Sequence, residues 1–374
     1  GYQVAFMAPT GILANQHYTL ANKIFNESNI KTDFLTGKTS NSERKIKINA
    51  LKENNINIIF GTHALFQKKT EFGNLGLIII DEQHKFGVKQ RMELSKKGGE
   101  NCDILVMSAT PIPRTLIMTF YGDMDVSKLI DKPMYRKNTI TLSKPEEKID
   151  EILLFIKKQI QNENQIFWVC PLIEESKKLD YSAAVKKYNY LSKTFAKKVG
   201  LIHGNLQKDE KDKVLNNFLR KSIDILVSTT IIEVGIDFPD ASVIVIENSN
   251  KFGLSQLHQL RGRVGRGAVQ STCILLYKKN LRGNAKKRIQ ILKSSNDGFF
   301  IAEEDMKLRG FGDILGYQQS GIKDFKLADP IQHEDLFKIA ERNIKDIEHD
   351  ESSFKKYYFL LKLFDKADIL NQIN

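Results

Sequence analysis

Two adjacent acids, Asp81 and Glu82, open the tetrapeptide Asp81-Glu82-Gln83-His84 directly after the apolar run 77–80. In a parallel sheet, ligand-facing groups sit beyond the carboxyl ends of the strands. At such a position one carboxylate suits a Mg²⁺ ion and its neighbour can orient a water for attack. Asp is equally at home as a helix cap, so the pair alone leaves both readings open. Ser108-Ala109-Thr110-Pro111 follows the next apolar run, 104–107, and ends at the same edge. Its hydroxyls suit the relay of a nucleotide state to a bound strand, or simply a turn before proline.

A second constellation lies far along the chain. Arg261, Arg263 and Arg266 are interleaved with Gly262, Gly265 and Gly267. The glycines let the backbone approach a ligand, and the planar guanidinium fork matches phosphate with two parallel hydrogen bonds. A solvated basic loop is the bland alternative. Upstream, Thr229 and Thr230 close another apolar run, followed by Gly235 and Asp237. The two hydroxyls suit nucleic-acid phosphates, and Asp237 suits a ribose hydroxyl.

These groups need a scaffold that brings distant segments to one edge. Runs 4–7, 57–60, 77–80 and 104–107 read as buried strands, and so do 165–170, 200–202, 223–227, 243–247 and 273–277. Apart from Asn57, Gln165, Asp224 and Glu247 these runs carry no polar side chain, as expected where helices cover both faces of a sheet. Between the two sets lies the polar, proline-broken stretch 131–138, which reads as a linker. Segment 281–293 reads as a basic helix, 309–321 is glycine-rich, and 330–374 carries Leu336, Ile339, Ile344, Phe354, Leu360 and Phe364 at helical spacing. The expected division is therefore 1–130, 131–281 and 282–374.

Composition narrows the class. Over 374 residues, 41% are hydrophobic, enough for real cores. Lys and Arg number 57 against 45 acids, a net charge of +12 that suits a polyanion, although a general lysine bias gives the same excess. Cys102, Cys170 and Cys273 form no CxxC pair, so free thiols in a reducing cytoplasm are expected, with no thiolate metal site. No apolar run approaches the ~18 residues of a membrane span. The chain begins with Gly1 and shows no secretory signal, and it reads as a piece of a longer protein.

In order and spacing, these segments resemble the superfamily 2 helicase motor. Met7-Ala8-Pro9-Thr10 is similar to motif Ia, Gly61-Thr62-His63 to motif Ic, and Asp81 to His84 to motif II. Ser108 to Thr110 is similar to motif III, Thr229 to Asp237 to motif V, and Gln259 to Arg266 to motif VI. Gly61-Thr62-His63-Ala64-Leu65, the extension Lys85-Phe86-Gly87-Val88, and Leu308 to Gly316 resemble the RecG helicases, the last being similar to their TRG translocation motif. Gln83 stands where the transcription–repair coupling relatives usually carry Glu.

The resemblance implies an α/β fold: two RecA-like parallel-sheet domains, the first incomplete, followed by a mainly helical C-terminal TRG region. It implies ATP and Mg²⁺ as cofactors. The implied partner is branched DNA, namely replication forks and Holliday junctions, with a single-strand-binding protein as a further partner. A monomeric, cytoplasmic, nucleoid-associated bacterial type of motor is implied, acting in recombination and repair. On that pattern Asp81 holds Mg²⁺ and Glu82 is the general base. Arg263 and Arg266 reach the phosphates, with His84, Gly235, Asp237 and Gln259 also at the nucleotide. Pro9, Thr10, Gly61, Thr62, Thr229 and Thr230 track the DNA backbone, and Arg309 and Gln318 belong to the translocation element.

The departures are specific. Relatives carry a phosphate-binding loop ahead of motif Ia, and here Gly37-Lys38-Thr39 lacks the required glycine five residues earlier, where Thr32 stands. The preceding residues 33–36 do not read as a strand leading into a helix, and Gly11 stands where relatives commonly carry Glu. The chain alone is therefore expected to lack ATPase activity, and a non-catalytic nucleic-acid-binding fragment or a decayed gene product stays open. The strand feeding that loop belongs in mid-sheet beside 104–107. Its loss is expected to open ladder partners on both sides and leave 1–130 poorly folded alone, while 131–277 folds.

Overall fold

The computed structural model describes residues 1–67, 69–82, 97, 102–108, 125–129, 131, 137–171, 177–195, 198–229, 238–267, 269–278, 281–309, 333, 336, 339–340 and 343. One compact unit comprises Gly1–Pro111 with Lys132–Ile301, and a second comprises Ile112–Asp131 with Ala302–Asn374. Two separate parallel sheets lie in the first unit.

The first sheet has strands β1 (Gln3–Met7), β2 (Thr32–Leu35), β3 (Ile58–Gly61), β4 (Leu75–Ile80) and β5 (Asp103–Val106), in the order β2-β3-β1-β4-β5. All neighbours are parallel, with Met7 level with Gly61 and Ile80, and Ile80 level with Val106. Helix α1 (Gly11–Ile24) starts at Thr10, whose Oγ1 accepts from the Leu13 N–H at 3.2 Å. Helix α2 (Asn41–Lys52) starts at Ser40, whose Oγ accepts from the Glu43 N–H at 3.3 Å. Short hydroxyl side chains satisfy these amides because the first turn has no backbone acceptor for them. One face of the sheet buries Ala5, Met7, Ile59, Ile78 and Ile80 against Leu51, Leu65 and neighbours. On the other face, Phe6 packs on Phe60 at 5.2 Å and on His17 of α1 at 4.5 Å.

The second sheet has β6 (Ile140–Pro145), β7 (Gln165–Cys170), β8 (Val199–Ile202), β9 (Ile225–Thr229), β10 (Ala241–Ile246) and β11 (Thr272–Tyr277), in the order β6-β11-β10-β7-β9-β8. These are parallel throughout as well. Its helices are α3 (Ile149–Gln161), α4 (Lys177–Thr194), α5 (Lys208–Leu219), α6 (Leu254–Arg261) and α7 (Gly283–Ser294), and α8 (Gly298–Arg309) follows. Every residue of β7, β9 and β10 is buried, the pattern of strands covered on both faces. Phe167, Phe218 and Phe238 form a closed triad with ring centroids 5.1 to 5.4 Å apart.

Several expectations need correction. Residues Thr32–Leu35 form a strand, and a helix begins at Asn41, so Gly37-Lys38-Thr39 does sit between a strand and a helix. Thr, Phe and Leu suit a short edge strand even with Asp33 among them, and Lys47 ties that acid back to α2 by an ion pair at 2.5 Å. Strand β6 went unread because Ile140 and Leu142 alternate with polar residues, an edge-strand pattern. The first sheet is contiguous and is not interrupted in its middle; its two edges are β2 and β5, each with one side lacking a ladder partner among the described residues. Nor is β5 buried: Ile104 and Leu105 are 39% and 49% exposed. Of the C-terminal segment, Leu336 and Ile339 are helical, and most of 310–374 lies outside the described residues.

Candidate functional site

Because all strands of each sheet run the same way, their carboxyl ends share one edge. The Asp81 N–H donates to the Met7 carbonyl at 2.9 Å, extending the β1–β4 ladder one residue into motif II. At the neighbouring positions the Ala8 N–H donates to the Gly61 carbonyl and the Met107 N–H to the Ile80 carbonyl. The strand ends that carry motifs Ia, Ic and II, and the one that leads into Ser108, are thus stitched together. Asp81 Oδ1 accepts from the Glu82 N–H at 2.9 Å, and Oδ2 lies 3.0 Å from His17 Nε2. Glu82 is buried and adopts a left-handed φ of +50°, a conformation that non-glycine residues hold only when their surroundings enforce it.

The arginines of the second constellation divide sharply. Arg261 is buried and fully engaged: Nη1 donates to the carbonyls of Leu292 (2.6 Å) and Ser295 (2.8 Å), and Nη2 contacts His258 Nδ1 at 3.1 Å. The phosphate-binding role that the sequence offers to all three arginines therefore fails for Arg261, which clips α6 to the end of α7. Arg263 is also buried, yet its Nη1 has no hydrogen-bond partner among the described residues. Burial pushes its pKa down to about 10, helped by the like charge of Arg266 and opposed by the Glu82 carboxylate. An acid of the first sheet and an arginine of the second are thus within electrostatic reach. Arg266 Nε donates to the Gly262 carbonyl at 3.4 Å. Gly265 has φ +78° and a Cβ there would meet Ser271 Oγ at 2.5 Å, so only glycine fits this turn.

Comparison with known proteins gives this geometry a lineage. A DEAD/DEAH box helicase model matches residues 1–119, a helicase conserved C-terminal domain model 145–268, and a model for domain 3, C-terminal, of ATP-dependent DNA helicase RecG 295–367. An ATP-dependent DNA helicase RecG from Thermotoga maritima is 47% identical over 93% of this chain and 45% of its own length. The Bacillus subtilis RecG is 44% identical over 95% of this chain and 52% of its own. A solved structure of RecG bound to a three-way DNA junction superposes with a TM-score of 0.73 at 44% identity, covering 90% of this chain and 44% of that one. The chain is a homologue of RecG helicases. It spans about half the length of the curated relatives it matches.

In this RecG homologue the remaining site positions fall as follows. Thr10 is the N-cap of α1, and Pro9 precedes it half-buried. Thr62 is buried at the end of β3, and Thr229 is buried at the end of β9. Gly61 has a steric reason of its own, since a Cβ there would meet the Leu35 carbonyl at 2.3 Å. Gln259 is half-buried on α6. His84, Thr230, Gly235, Asp237 and Gln318 lie outside the described residues, as does the side chain of Arg309 at the end of α8. Lys38 of the glycine-lysine-threonine turn points to α5, pairing with Asp209 at 3.3 Å and Asp212 at 3.5 Å. Among the described residues no group of His, Cys, Asp and Glu could hold a metal on its own, and no helix is long and apolar enough to cross a membrane. His17 is the residue that reading the sequence missed: it is 64 positions from the acid it touches.

Proposed function

We propose that this chain is the motor portion of an ATP-dependent DNA helicase that acts on branched DNA, remodelling forks and junctions in recombination and repair. The observation that carries the reading is the charge coupling of two buried groups: Glu82, in a left-handed conformation just after β4, and Arg263, whose buried Nη1 has no acceptor among the described residues. A buried guanidinium N–H without an acceptor is costly in the free protein, and a phosphate oxygen would satisfy it.

The donor set fits a magnesium nucleotide. ATP with Mg²⁺ would supply the phosphoanhydride to be hydrolysed and the charge that polarises it. Asp81 would hold the ion through oxygen, in keeping with a carboxylate whose geometry is fixed by two neighbours. Glu82 would orient and deprotonate the attacking water, and Arg263 and Arg266 would neutralise charge on the transferred phosphate. Gln259, His84, Gly235 and Asp237 complete the nucleotide side in this reading. Pro9, Thr10, Gly61, Thr62, Thr229 and Thr230 would track the DNA backbone, and Arg309 and Gln318 would link nucleotide state to duplex movement. A chain division at 1–130, 131–281 and 282–374, a monomeric cytoplasmic motor, and contact with a single-strand-binding protein belong to the same proposal. The three-way junction held by the solved RecG supports the choice of branched over linear DNA.

The test uses a full-length chimaera in which this chain replaces the matching residues of the Thermotoga maritima relative. Fork DNA is expected to stimulate its ATP hydrolysis, and Glu82→Gln should lower that turnover by about 10² to 10⁴ without moving the melting temperature. Unchanged turnover in the Gln variant would falsify the assignment of the base.

A further inference from the structure

We infer that His17 is a positioning residue that couples the DNA-facing start of α1 to the acid pair at the end of β4. The inference rests on the nucleotide-site reading above and deepens it. His17 Nε2 lies 3.0 Å from Asp81 Oδ2, with the two side chains 28% and 18% exposed. A carboxylate only accepts, so the imidazole Nε2–H donates. The opposite oxygen of Asp81 accepts from the Glu82 N–H, so one carboxylate is held by a helix on one side and by the strained neighbouring backbone on the other. The imidazole is itself seated on Phe6 at 4.5 Å, and Phe6 on Phe60 at 5.2 Å, which limits where the ring can go.

The same helix begins at the residues assigned to the DNA backbone. Thr10 caps α1 through its Oγ1, and its carbonyl accepts from the Ala14 N–H at 3.0 Å. At ~1.5 Å of rise per residue, His17 lies about 10 Å along the helix from that cap. The helix runs unbroken from Gly11 to Ile24. A shift of the cap when a DNA strand engages it therefore reaches Asp81 as movement of a rigid rod. The converse also holds: whatever fixes Asp81 fixes the cap. Such a link is reciprocal by thermodynamic necessity, so it is read most directly as a binding ratio.

The experiment measures fork-DNA affinity of the chimaera by fluorescence anisotropy, with and without Mg²⁺ and a non-hydrolysable ATP analogue. The original sequence should show affinities that differ by at least about five-fold between the two conditions. His17→Ala should bring that ratio to within about two-fold of one. His17→Gln places an amide N–H where Nε2 was and should restore most of the ratio. His17→Asn places its amide nearer Nδ1 and should not. The Gln and Asn pair decides the matter even if the alanine variant does not fold. A ratio retained in Ala or Asn, or one lost equally in Gln and Asn, overturns the role of His17. A ratio of one in the unsubstituted chimaera overturns the nucleotide-site reading, and the inference with it.

Discussion

Arg261 and Arg263 stand two residues apart in one motif, and burial means opposite things for them. Arg261 repays its desolvation with two short bonds to backbone carbonyls, so Arg261→Ala leaves those acceptors unmet and should cost about 2 to 5 kcal/mol. Arg263 has no such return for Nη1 among the described residues, and its pKa is pushed down to about 10. A cation with a lowered folded-state pKa opposes folding at every pH below that value, and the penalty fades as pH rises from about 10 toward the unfolded value. Arg263→Met should therefore raise the melting temperature at neutral pH while lowering DNA-stimulated turnover by about 10³ to 10⁵. Calorimetry beside a turnover assay checks both. A variant that loses stability and activity together would make Arg263 a structural residue like its neighbour. Sequence alone could not separate the two, because the acceptors of Arg261 are carbonyls, which leave no mark in residue types.

At the scale of elements, both sheets use the same device at the amino end of a central strand. Gln3 opens β1, where its amide donates to the carbonyls of Leu51 and Ile56 and its oxygen accepts from the N–H groups of Gly73 and Asn74. Gln165 opens β7, and its amide donates to Phe218 at 2.6 Å and Ile223 at 2.8 Å. Each ties the loops that enter neighbouring strands, and so sets the level at which those strands finish at the site. Gln165→Leu keeps the volume but strands two buried carbonyls, and should lower unfolding free energy by about 2 to 5 kcal/mol in a denaturant titration. A change below about 0.5 kcal/mol would mean that water replaces the amide. The continuous apolar strands and the acids at their ends were legible in the sequence because two-sided burial leaves an unmistakable run of apolar residues. Edge strands β2 and β6 were not, since half their side chains face solvent. Neither was the His17–Asp81 contact, which only the packing of α1 against β1 creates.

At the scale of the whole molecule, the two sheets differ in how completely they are covered. β7, β9 and β10 are buried at every position, and Trp168, Ile225, Val245 and Leu276 share one cluster with Ile152, Ile156 and Leu191 from helices α3 and α4. β1 alternates buried with half-buried residues, β4 is half-buried at Gly76, Leu77 and Ile79, and β5 exposes Ile104 and Leu105 on an edge without a further strand among the described residues. Parallel sheets depend on cover over both faces, and an apolar parallel edge invites association with another chain. A fragment spanning 138–281 should thus melt as one cooperative, concentration-independent transition. A fragment spanning 1–111 should melt broadly, with sedimentation that shifts to larger species as concentration rises. If the first fragment proved as cooperative and monomeric as the second, the open side of β5 would be a harmless edge, and the cover of its outer face would contribute nothing to folding.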